Sequence, residues 1–138
     1  MADITAAVGI LDCYGQILIG RKRDDSIGLI SGKWHLPGET LHEGEDDLQG
    51  LVRGFLEETG IEINVEKMIG TSSTERVARI DWYLCKPKDY RPVEEIVLRP
   101  GSDLAEAKWV PRASVPEECD PYVVSLWPDE VREFFRYW

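Results

Sequence analysis

The chain has 138 residues, 43% of them hydrophobic, with a formal net charge of −10. Such a length and apolar fraction suit one globular domain, residues 1–138, with a core of useful size. The acidic balance argues against long nucleic acid as a partner, since that affinity comes from basic side chains on phosphates, but a single nucleotide stays open because a cation and a local basic cluster can offset the field.

Residues 4–11 are rich in β-branched and small side chains and predict a buried strand. The first ten residues lack a basic segment followed by a long apolar run, so no signal peptide is expected. Nowhere does the chain approach the roughly eighteen apolar residues of a membrane span, and no membrane association is expected. Residues 12–16 predict a turn and residues 17–23 a returning strand, together a hairpin. Alternation puts Ile17, Ile19, Arg21 and Arg23 on one face and Leu18, Gly20 and Lys22 on the other. The basic run at 21–23 reads either as a solvated strand end or as an anion site, for which Arg21 and Arg23 are the candidates. Residues 24–31 predict a loop able to cover a site, and Trp34 reads as a packing residue.

Residues 32–61 run from a loop rich in Gly and Pro into an amphipathic helix that stops at Gly60. Glu45, Asp46 and Asp47 stand at the helix start, where the helix dipole favours negative charge. Leu48, Leu51, Val52, Phe55 and Leu56 form an apolar stripe expected to face a core. Glu45, Gln49, Arg53 and Glu57 make one ridge, and Asp46, Gly50, Gly54 and Glu58 the ridge beside it. Carboxylates on neighbouring ridges converge on one patch, which suits a hard cation such as Mg²⁺. The competing reading of Glu57 and Glu58 is a solvated acidic helix end, although acids there oppose the dipole by a few tenths to about 1 kcal/mol. Gly50 and Gly54 each cost about 1 kcal/mol relative to alanine inside a helix.

Beyond the helix, residues 62–70 predict a strand, 71–74 a polar turn and 77–85 another strand with Arg79, Asp81 and Tyr83 on one face and Ile80, Trp82 and Leu84 on the other. Residues 93–98 predict a short strand, broken by Pro100 and Gly101. Residues 128–138 predict a helix with Val131, Phe134 and Phe135 as its buried face. The aromatic tail fits either core or an interface, which leaves the oligomeric state open. Cys13, Cys85 and Cys119 are odd in number, far apart and without a CxxC pair, pointing to reduced thiols in the cytoplasm rather than disulfides or a zinc site.

Residues 38–61 resemble the box of the Nudix hydrolases, the MutT-like family. That box reads Gly, five residues, Glu, seven residues, Arg-Glu, an aliphatic residue, any residue, Glu-Glu, any residue, Gly and an aliphatic residue. Here Glu57, Glu58, Thr59, Gly60 and Ile61 match its end, Phe55 takes the aliphatic position, and Arg53 stands eight residues after Glu45. Trp34 to Gly38 match the usual approach to the box, and Ala105 to Pro111, with Glu106 three residues before Trp109, looks like the family's late strand. Two positions depart. Glu39 stands where the opening Gly is expected, a tolerable loop change because Gly38 flanks it; Gly54 stands where the family has the Glu that ligates metal.

The resemblance implies an α/β architecture, the Nudix fold, in which a mixed β-sheet is sandwiched between helices. It implies hydrolysis of the diphosphate linkage of a nucleotide or nucleoside diphosphate derivative, with Mg²⁺ or Mn²⁺ held by Glu57 and Glu58 and by Glu45 as a third or water-mediated ligand. Arg53, left without its usual neighbour, is free to pair with Glu57 or Gln49. Arg21, Arg23 and Gly38 are the expected substrate contacts. Because bases in this family also come from late loops, Asp103 and Glu106 are the best replacements for the missing carboxylate, ahead of Glu94 and Glu95, while Glu43 beside His42 would need a one-residue shift. The competing reading is a catalytically weak or inactive Nudix-fold module that binds a nucleotide, with Gly54 as its signature. On the hydrolase reading, Gly54→Glu is expected to raise activity strongly. Nothing in the sequence selects among nucleoside triphosphates, ADP-ribose-type and sugar-nucleotide substrates.

Overall fold

The computed structural model describes residues 4–23 and 31–136. β1 (Thr5–Cys13) returns through a two-residue turn into β2 (Gln16–Lys22), as the sequence predicts. Tyr14 and Gly15 both have positive φ, 52° and 82°, the handedness that matches the twist of a hairpin, and Asp12 Oδ1 accepts the Gly15 N–H at 2.9 Å. Next come β3 (Trp34–His35), β4 (Gly38–Thr40), α1 (Asp47–Thr59), β5 (Ile63–Ser72), β6 (Arg79–Pro87) and β7 (Leu104–Pro111). Three short helices follow: α2 (Val115–Glu118), α3 (Pro121–Ser125) and α4 (Asp129–Arg136).

The sheet runs β3-β2-β1-β6-β5, with β4 added to β1 and β7 to β2. β1 and β6 are parallel and the other pairings antiparallel, so the sheet is mixed. Alternation along the central strands feeds two cores. Leu11 and Leu18 join Leu51 and Phe55 under α1, while Ile10, Ile17 and Ile19 join Val115, Trp127, Val131 and Phe135 from the α2–α4 side. The α/β/α arrangement follows from that division: residues one apart in a strand serve opposite layers.

α1 begins and ends where its caps dictate. Asp46 and Gln49 form a reciprocal capping box, with the Gln49 N–H to Asp46 Oδ1 at 2.8 Å and the Asp46 N–H to Gln49 Oε1 at 3.0 Å. Gln49 is therefore not the partner of Arg53. Gly60 closes the helix at φ 77°, a conformation that favours glycine. Tyr83 on β6 donates its hydroxyl to Asp47 Oδ2 at 2.5 Å and ties the helix start to the sheet.

The expected apolar stripe of α1 is half right. Leu51 and Phe55 are buried, but Leu48, Val52 and Leu56 are 51%, 40% and 51% exposed. The inward face carries Gly50, Gly54 and Thr59 beside them, and the side chains of Leu41 and Glu39 fill the space where a Cβ on Gly50 and on Gly54 would stand. A second correction concerns residues 93–98. Val93–Glu95 form a single 3₁₀ turn rather than a strand, and the residues after it run along the end of α1. There the N–H groups of Arg99 and Gly101 donate to Thr59 O and Glu58 O, both at 2.9 Å, so the free carbonyls of the helix end take donors that the sheet would have claimed. The buried face of the last helix is Val131 and Phe135, with Phe134 packed partly against them. Residues 24–30 of the expected covering loop at 24–31, and Tyr137 and Trp138 of the tail, lie outside the described residues. Among the described residues no helix is long and apolar enough to cross a membrane. Cys13, Cys85 and Cys119 are buried free thiols.

Candidate active site

The chain at β4 passes against the glycine ridge of α1. A Cβ built on Gly50 would run into Leu41 Cδ2. One built on Gly54 would fall on Glu39 Cγ and stand 2.6 Å from its Cδ and 3.1 Å from its Cβ. A small, partly open cleft lies there, lined by Gly54 with Glu39, Glu58, Asp103, Lys22 and His35. Gly38 lines it too and is a close-packing glycine, since a Cβ there would stand 2.9 Å from Val8 Cγ2 and 3.0 Å from Ala7 O on β1.

The three acids of the pocket come from three elements. Glu58 lies in the last turn of α1, Glu39 on β4, and Asp103 immediately before β7. Glu58 Oε2 accepts the Asp103 N–H at 3.1 Å, which fixes that carboxylate against the late loop. Burial pushes the Glu58 carboxyl above its ordinary range, and the Asp103 amide bond and the Lys22 charge oppose the rise. Burial likewise raises Glu39, against the bond from Arg53, and the nearby Glu57 and Glu58 charges push it further.

Arg53 gathers Glu39 of the pocket together with two acids outside its lining. Its Nε and Nη2 reach Glu45 at 2.7 and 3.0 Å, and its Nη1 reaches Glu57 at 2.8 Å and Glu39 at 3.1 Å. Surrounded in this way, the guanidinium is held protonated even more firmly than usual, chiefly by Glu45. Glu45 also accepts the His42 N–H at 2.8 Å, and the Arg53 pairing holds its carboxyl down at about 2.

Of the residues expected to act, the structure brings Glu58, Asp103 and Gly38 together at this pocket and leaves the others away from its lining. Glu45 and Glu57 are taken up by Arg53. Glu106 pairs across the strands with Arg21 at 2.8 Å, and Arg23 donates to Ser102 O at 2.5 Å. The β2 alternation is as expected: Leu18 packs on the α1 side and Ile17 and Ile19 on the other, and it is Lys22, on the Leu18 face, that lines the pocket. A register shift at Arg21/Lys22 accompanies this turn of the strand towards the site.

Sequence reading missed Lys22, His35 and Glu39. For Glu39 the signal existed, in a glutamate and a glycine that stand at each other's expected positions. His35 is 5% exposed; its Nδ1–H donates to Leu36 O at 2.8 Å, and its buried Nε2 has no hydrogen-bond partner among the described residues. Burial lowers its pKa to about 4. Since the unfolded value of about 6.5 lies higher, the unfolded chain takes up the proton first as pH falls. This stabilisation is complete above about pH 6.5 and is lost as pH falls through 4, on the order of 3 kcal/mol in all. Denaturant titrations of the unaltered protein and His35→Gln across that window should show the variant losing this part of the pH slope; parallel slopes would refute it.

Glu39 and Glu58 offer the oxygen donors a hard divalent cation prefers, and His35 Nε2 is an orphaned polar atom in the same wall. Among the described residues no three His, Cys, Asp or Glu side chains converge tightly enough to make a complete cage. One or two carboxylates suffice for Mg²⁺, which takes its remaining ligands from water and substrate phosphate, so the residues fit. The geometry also reverses the outcome expected for Gly54→Glu, because the new side chain would enter space already filled by Glu39. Even Gly54→Ala, worth about 1 kcal/mol as helix propensity, should be destabilising by a net 1–2 kcal/mol through overpacking. Chemical denaturation would measure it, and an unchanged or raised midpoint would refute it.

A family model, the NUDIX domain, matches residues 2–127 of this chain. Nudix hydrolase 6 of Arabidopsis thaliana is 29% identical over 111 residues, covering 78% of this chain and 35% of its own length. Nudix hydrolase 8 of the same plant is 29% identical over 92 residues, 64% of this chain and 24% of its own length, so the chain spans about a third or less of either relative. Among solved structures, a NUDIX hydrolase from Nitrosomonas europaea superposes at a TM-score of 0.73 with 17% identity, covering 99% of this chain and 72% of that one. A MutT protein from Methanosarcina mazei Go1 does so at 0.70 with 21% identity, over 96% and 90% of the two chains. At those identities the likeness is one of fold. The family match over nearly the whole chain carries the conclusion: this chain belongs to the Nudix family.

Proposed function

We propose that this chain is a divalent-cation-dependent hydrolase of the diphosphate linkage in a nucleotide or nucleoside diphosphate derivative. The observation that carries the reading is the pocket at Gly54, where Glu58 and Asp103 meet the Lys22 side chain. Glu58 would hold the cation, Lys22 would take a phosphate oxygen, and Asp103 would accept the proton of the attacking water. A bound Mg²⁺ or Mn²⁺ supplies neutralisation of the charge that builds on the phosphate oxygens. In the step itself a water oxygen bonds to phosphorus, the bridging P–O bond breaks, and its electron pair leaves on the departing phosphate. Asp103 is preferred to Glu106 as proton acceptor because it lines the pocket, whereas Glu106 is tied to Arg21.

The test is product release from a panel of nucleoside triphosphates, ADP-ribose and nucleotide sugars, with and without Mg²⁺ or Mn²⁺. Cation-dependent turnover is expected, and Asp103→Asn should lower kcat by roughly 10²- to 10⁴-fold with little change in KM. Absence of turnover with every substrate, while a nucleotide still raises the melting temperature, would favour the binding module instead.

A further inference from the structure

We infer that Glu39 is the second cation-holding carboxylate of this pocket, entering from β4 through the space that the glycine at 54 leaves on α1. The inference rests on the hydrolase reading and names a residue for it. Its first support is steric. The Glu39 side chain occupies the position that any Cβ at residue 54 would need, with Cδ and Cβ only 2.6 and 3.1 Å from that point, so the two residues are a matched pair. Glycine inside a helix and a carboxylate only 20% exposed are each unfavourable locally. Here both occur at one contact, and that contact opens onto the pocket.

The second support is positional. Against the box pattern, residue 39 has gained a glutamate where glycine is expected, and residue 54 has gained a glycine where glutamate is expected. The exchange is reciprocal, so the pocket keeps its number of carboxylates and changes only the element that delivers one of them. Arg53 binds Glu39 through Oε1 at 3.1 Å, and Oε2 has no hydrogen-bond partner among the described residues. The third support is independent of the acids. His35 is only 5% exposed, lines the same pocket and holds Nε2 without a partner among the described residues, as a wall prepared for a polar occupant would.

A purely structural Glu39 would serve only to tether β4 to Arg53, and a glutamine would do that through its carbonyl oxygen. The experiment is therefore Mn²⁺ binding to the full chain, followed by the spin-resonance signal of free Mn²⁺ and without any substrate. Glu39→Gln and Glu58→Gln should each weaken Mn²⁺ roughly 10- to 100-fold. The exchanged double variant Glu39→Gly with Gly54→Glu should bind within about threefold of the unaltered protein, whereas Glu39→Gly alone should not. Mn²⁺ affinity unchanged in Glu39→Gln but lost in Glu58→Gln would overturn the role of Glu39 and leave the hydrolase reading standing. Failure of the unaltered protein to bind Mn²⁺ at all would overturn both.

Discussion

Glu58→Gln is expected to lower cation-dependent turnover by roughly 10²- to 10⁴-fold while leaving the fold intact. The substitution keeps the shape of the side chain, and an amide oxygen can still accept the Asp103 N–H that now lies at 3.1 Å. What it removes is the negative charge in the only pocket acid supplied by α1. Because burial already disfavours the charged form of Glu58, neutralising it should leave thermal stability unchanged or slightly raised. Steady-state kinetics beside a melting curve separates the two effects. Loss of activity with an unchanged midpoint fits the assignment, and full activity in Glu58→Gln would refute it.

Trp127→Ala should have the largest effect on stability. Trp127 is 4% exposed in the core between the sheet and α2–α4, with its ring centroid 5.2 Å from that of Phe135. Truncating a buried aromatic leaves a cavity and costs about 3–5 kcal/mol, or on the order of 10–20 °C in Tm for a chain of this size. The indole Nε1 is buried without a hydrogen-bond partner among the described residues, so Trp127→Phe forfeits no bond seen there and should cost only about 1–2 kcal/mol. Since this core lies on the face opposite α1, Mn²⁺ affinity measured well below the transition should be unaltered in both variants. Equal melting temperatures for the Ala and Phe variants would show that packing around Trp127 does not support this layer.

Much of the architecture was legible because local rules and tertiary demands agree. The hairpin at Tyr14-Gly15, the helix between Asp46 and Gly60, and the late strand holding Trp109 each form where the sequence predicts them. Disagreement appears where a residue's partner is remote. Hydrophobic spacing nominated Leu48, Val52 and Leu56 as inward-facing, but spacing has no knowledge of a Glu39 side chain that lies where a Cβ on residue 54 would stand. Alternation separated Arg21 from Lys22 correctly and could not say which of the two would line the pocket. Glu39 was passed over for a related reason. Read one position at a time, residues 39 and 54 are two mismatches, and only their contact in space makes them one event.

The cluster around Arg53 has a consequence for motion. One guanidinium reaches Glu57 in α1, Glu45 in the loop before it, and both Glu39 and the Thr40 carbonyl on β4. The loop at 42–45 is largely exposed and has little apolar surface of its own to hold it down. Its slow openings therefore cannot be private to the loop. For residues 42–45 to detach, Arg53 must release them, and the same release loosens β4 from the helix. Strand end, loop and mid-helix should behave as one cooperative unit, with the amides of 40–45 exchanging with solvent at a rate set by that unit rather than by their own exposure.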